Sequence, residues 1–328
     1  MELSLTEYLG LHLVSVSSKD KSQNQVRNKT EELVNSALNL LLSAKTKFWG
    51  ERVILTVAIV SYLIHLLVIY LVHLGFNQSD SRFLQNPISA IYTPFSFILV
   101  YEVYLLIFYL PKSTSFYIGK QYEIITLIVI RRIFKDIGTL ELSLPWFENQ
   151  HDLQFTFDVV TSVLLYTLIF VFYHKILRRD NSGVDLTPSP EKNTSDFILL
   201  KKSISVILVP ALLFLAIYSF WRWVDLAKKD YLSGMDALSN LNSVFFDEFF
   251  TILIVVDVLI LLASFFYSDK FHTIIRNSGF VISTVLIKVS FSIDGIVNNV
   301  LIIGAVIFGI LITYIHTLFE RKVDEQKL

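Results

Sequence analysis

The chain has 328 residues, of which 53% are hydrophobic and only 17% charged, with a mean hydropathy of +0.57; a soluble domain of this length would carry roughly 25% charge. A formal net charge of −1 provides no global field for nucleic acid or an acidic partner. The absence of cysteine excludes disulfides, thiolate metal sites and thiol nucleophiles.

Several uncharged, mainly apolar runs approach or exceed the ~18 residues that read as a membrane-spanning helix; 53–72 and 297–319 are examples. The expected fold class is therefore all-α: a polytopic integral membrane protein of about eight transmembrane helices.

Residues 1–51 form an N-terminal segment ahead of the membrane. The first basic residue is Lys19 and a polar tract follows it, so no signal-peptide pattern opens the chain and the first span reads as a non-cleaved anchor. Leu33, Val34, Ala37, Leu38, Leu41 and Ala44 recur at helical spacing, which predicts an amphipathic helix over 31–47, lying on the membrane surface or packed on the protein. Trp49 then falls where indole rings collect, at the interface.

The first four-helix unit is expected over 52–179. Its spans are 53–74, with His65 near mid-membrane; 88–110, with Pro94 in its first turns and Glu102 beyond; 122–137, after a polar hairpin at 111–121; and 155–176. The third is weak as a span, because Arg131, Arg132, Lys135 and Asp136 crowd its second half. A polar linker with two prolines covers 180–198. The second unit, 199–328, has spans at 204–223, broken by Pro210; 247–267, with Asp257; 279–291, with Lys288; and 296–319, before a charged tail.

With eight spans and both termini inside, only Arg82, Arg222, Lys228 and Lys229 fall in outer segments, and most other lysines and arginines fall in inner ones. Basic residues collect on the cytoplasmic side, so this orientation is expected, and it requires the weak third span to cross.

The two units echo one another. Residues 118–138 align without gaps on 275–295, which matches Arg131 with Lys288, Phe134 with Phe291 and Gly138 with Gly295. Glu102 corresponds to Asp257, and His174 to His316. An even number of spans per unit makes this a parallel 4+4 internal repeat about an axis along the membrane normal.

Charges inside the membrane are costly and mark functional sites by default. Counting along the helices puts Glu102, Arg131, Asp257 and Lys288 at similar depth, about 12 to 15 Å from the inner end at 1.5 Å per residue, so Glu102–Arg131 and Asp257–Lys288 are expected as two acid–base pairs. Arg132 is expected to reach toward the outer interface. His65 is a candidate proton shuttle, or else a hydrogen-bonded structural group. Asn298 and Asn299 are expected to line a pore or bridge helices.

The expected function is membrane transport, by a channel or carrier, of an ion or small solute past these pairs. The alternative is a scaffold or sensor subunit of a larger complex that transports nothing, in which the pairs fix helix register. No Walker A, HExxH, GxSxG or GxGxxG motif occurs, so neither enzyme activity nor a metal or cofactor is expected. The expected partners are the lipid bilayer, the solute, and a second copy or a protein at the inner face, with no nucleic acid. The expected location is a bacterial cytoplasmic membrane with both termini cytoplasmic.

Overall fold

The computed structural model describes residues 25, 27–75, 87–137, 150–180, 192–229, 234–267, 271–293 and 295–325. Every regular element among them is helical. We label these α1 (27–41), α2 (Ala44–His73), α3 (Tyr92–Tyr109, preceded by a 3₁₀ turn at Pro87–Ile91), α4 (Thr114–Ile137), α5 (Gln150–Asp180), α6 (Lys192–Lys229), α7 (Gly234–Tyr267), α8 (Phe271–Ser290) and α9 (Ile296–Glu325). Most of the expected linker, residues 181–191, lies outside the described residues, as does nearly all of the outer loop that holds Arg82.

Five helical stretches are long and apolar enough to cross a membrane: Arg27–His73, Asp152–Ile176, Ser195–Ser219, Glu248–Tyr267 and Ile296–Lys322. A sixth, Thr93–Tyr109, is apolar but shorter. The all-helical architecture fits a polytopic membrane protein. Most helices run past the predicted spans. The polar hairpin expected over 111–121 shrinks to Leu110–Ser113, because α4 begins at Thr114 and the Lys120–Glu123 pair (2.7 Å) holds its early turns. In the same way α7 reaches back to Gly234, through residues read as loop. A hydropathy window finds only the apolar part of a helix, and polar turns beyond it keep their backbone hydrogen bonds at no extra cost.

Ser43 breaks α1 from α2. Its backbone is extended (ψ 157°) and its hydroxyl accepts from the Thr46 amide at 3.0 Å, an ordinary helix N-cap. One side of α1 rests on the protein, through Arg27–Asp196 (2.8 Å), Lys202 Nζ donating to Asn35 (3.1 Å) and Tyr104 Oη donating to the Leu41 carbonyl (2.9 Å). Leu33 and Leu40 stay exposed on the other side. Packing on the protein thus accounts for one side of this helix.

Each helix packs on its sequence neighbour within α2–α5 and within α6–α9. Contacts between the two sets join α5 with α9, α3 with α6, and α4 with α8. The weak third span is thereby explained, and α8 follows the same pattern. Leu127 is the one strongly exposed large apolar residue on α4, while Gln121, Thr126 and Arg131 are buried; α8 buries Asn277, Ser283 and Thr284. A helix wrapped by other helices can turn polar groups inward. Two close approaches seat α9: Gly309 lies under the Tyr122 ring, and Gly279 under Ile312, where a Cβ would come within 2.7 Å.

Candidate functional site

Glu102 on α3 and Arg131 on α4 meet as expected. Arg131 Nη2 donates to Glu102 Oε2 at 2.7 Å, and both side chains are almost fully buried. Helical side chains lean toward the N-terminus of their own helix, which lets Arg131 reach back along α4 to the level of Glu102.

Arg132 is partly exposed, and its guanidinium turns to the early turns of α5 and α9. Two of its nitrogens bind the Asp158 carboxylate, one of them Nη2 at 2.6 Å, and it donates to the side-chain oxygens of Asn298 (3.1 Å) and Asn299 (2.5 Å). Asp158 is fully buried and also accepts from Gln154 (2.8 Å) and Asn299 (2.7 Å). Asn298 donates to the Ser290 carbonyl at 2.6 Å and so ties α9 to the end of α8. The carboxylate one helix away offers the guanidinium a charged, two-pronged partner. Sequence reasoning missed Asp158, though it is the one acid within the predicted fourth span.

Asp257 is arranged differently from the expectation. No ion pair joins it to Lys288 among the described residues. Its two oxygens accept instead from Tyr117 Oη and Gln121 Nε2, each at 3.1 Å, both from α4 in the other half of the chain. Gln121 is itself fixed, because its Oε1 accepts from Thr284 Oγ1 at 2.9 Å. Asp257 lines the cavity at the level of Phe280 and Val281 on α8, and Lys288 lies about 10 Å further along that helix at 1.5 Å per residue.

A cavity of about 20 Å³ adjoins Asp257, with Tyr117, Lys201 and Asn277 among its walls. That is room for about one water molecule. Lys201 is buried on α6 and donates to the Lys112 carbonyl in the α3–α4 hairpin at 2.8 Å. The cavity therefore joins an acid from α7 to a base from α6, and α4 supplies the neutral donors. Tyr117 and Gln121 fell in the stretch read as a polar hairpin, and Lys201 just ahead of a predicted span, so none of the three was a site residue by hydropathy.

His65 is buried on α2 and its Nδ1 lies 2.6 Å from Thr93 Oγ1. Thr93 stands nine residues before Glu102 on α3, about 13 Å along the helix, so His65 and Glu102 belong to different levels. At the other end of the bundle His272, His316 and Glu320 bring ligand atoms within 4.8 Å of one another, a group that could hold a metal ion. Arg276 Nη1 lies 3.4 Å from His316 Nε2, so a guanidinium competes with any metal cation for that nitrogen. The counterpart proposed for His316, His174, is exposed and stacks on Phe170.

No protein-family model matches this sequence, and neither a curated protein nor a solved structure does.

Proposed function

We propose that the chain is a membrane transport protein, a channel or carrier for an ion or small solute, and that its pathway passes Asp257. One observation carries this reading: Asp257 is a buried carboxylate whose direct hydrogen bonds come only from neutral donors, beside a small, mainly apolar cavity that Lys201 and Asn277 also line. A carboxylate that only fixes register is best closed by a cation in direct contact, as Glu102 is by Arg131 and Asp158 by Arg132. Asp257 keeps its negative charge available to a proton or a cation. Glu102, Arg131 and Arg132 are structural in this reading, and His65 and Lys288 stand aside from the pathway.

The reading takes α2 to α9 as eight spans in a parallel 4+4 repeat, with both termini cytoplasmic. The matching order of neighbour contacts in the two halves supports it, as does the meeting of the corresponding helices α4 and α8. A bacterial cytoplasmic membrane suits this orientation.

The test is flux of protons, sodium and potassium through proteoliposomes of the purified chain. A signal above empty liposomes is expected for at least one. A specific observation favours a second reading, a scaffold or sensor subunit of a larger complex: two intramembrane acids are closed by ion pairs, and the cavity holds about one water. Liposomes tight to every tested solute would leave that reading ahead.

A further inference from the structure

The end of the bundle that carries the α3–α4 hairpin concentrates positive charge on one ring. The Nζ atoms of Lys47, Lys112 and Lys120 lie 5.2, 5.0 and 5.3 Å from the Tyr109 ring centroid. They arrive from three elements: the first turn of α2, the hairpin and α4. All three ammonium groups thus fall within roughly a Debye length of one another and repel. Lys120 is neutralised by Glu123 (2.7 Å). Lys47 donates to Tyr109 Oη at 2.9 Å, and among the described residues neither it nor Lys112 has a carboxylate within ion-pair distance. Glu51, one turn beyond Lys47, accepts from Tyr101 instead (3.2 Å). Contact with ring faces offsets part of the repulsion and leaves the net charge in place.

We infer that Lys47 and Lys112, held on Tyr109, form a binding site for the phosphate of an acidic phospholipid headgroup. The site rests on the chain being a membrane protein and is independent of transport. An anion bridging the two ammonium groups would remove their repulsion and gain charge-assisted hydrogen bonds. The surroundings point to a lipid as the source of that anion. Phe48 and Trp49, next to Lys47, are 52% and 63% exposed, which marks headgroup level. From Phe48 the exposed Leu55 and Ile59 continue along the same side of α2 and offer acyl chains an apolar surface.

Native mass spectrometry of the full chain released from nanodiscs tests the site. Wild type is expected to retain phosphatidylglycerol over phosphatidylcholine from a mixed bilayer. Lys112→Gln changes an exposed side chain and should fold normally; it should weaken that preference, and Lys47→Gln/Lys112→Gln should abolish it. Lys47→Arg/Lys112→Arg should restore it, and Lys322→Gln, an exposed charge elsewhere, should leave it intact. Equal retention of both lipids by wild type, or an undiminished preference in the double glutamine variant, would overturn the site. Displacement of the lipid by millimolar inorganic phosphate would overturn the lipid assignment, because the site would then take a free anion.

Discussion

Glu102 and Arg131 show what a buried charge pair does and does not contribute. Both side chains are out of water and joined at 2.7 Å, so each offsets part of the other's desolvation. Removing one partner leaves the other stranded. Glu102→Gln is expected to lower stability by about 3 to 5 kcal/mol, whereas replacing both with apolar residues of similar volume should cost far less. Thermal unfolding of the single and double variants in one detergent checks this; a double loss equal to the sum of the two single losses would show that the pair is not coupled. At the Arg132 node, Asp158→Asn keeps the shape and removes the charge, and a loss of similar order is expected by the same measurement, because Arg132 would keep only neutral acceptors. Charged residues in apolar runs were legible in the sequence, and Glu102 and Arg131 do pair, although the depth count behind that expectation starts α4 at 122 and the helix begins at Thr114. What was not legible was the choice among partners. Asp257 takes Tyr117 and Gln121, uncharged groups that hydropathy treats as hairpin, and Lys201 lines the same cavity from beyond the linker.

At the level of helices, α4 and α8 are too polar to read as strong spans, and burial against their neighbours accounts for it. The existence of each helix was legible from apolar runs. Its true ends were not, since Thr114 and Gly234 begin helices whose first turns are polar. The fit of α4 against α9 depends on one small residue. The Tyr122 hydroxyl, which bonds Ser283 at 2.8 Å, fills the space a side chain at Gly309 would need. Gly309→Ala is expected to destabilise the protein by about 1 to 3 kcal/mol through overpacking. Tyr122→Phe should cost about 1 kcal/mol for the lost hydrogen bond. Combined, the two should cost less than their sum, because removing the hydroxyl makes room for the methyl group. Thermal unfolding of the four proteins closes that cycle, and strict additivity would contradict the contact.

For the whole molecule, the proposed eight-span arrangement puts Lys112 and Lys322 on one side of the membrane and Lys228 on the other. The native chain has no cysteine, so single substitutions to cysteine can be labelled without a background. A membrane-impermeant maleimide applied to sealed right-side-out vesicles should label Lys228→Cys and spare Lys112→Cys and Lys322→Cys. Labelling of all three from one side would contradict the topology.

The proposed pathway stands on Asp257. Ion flux through proteoliposomes of Asp257→Asn, compared with wild type at matched reconstitution and matched thermal stability, tests it most directly. Asparagine keeps the size of the side chain and removes its charge. The expected result is flux reduced to that of protein-free liposomes, and undiminished flux would contradict the assignment.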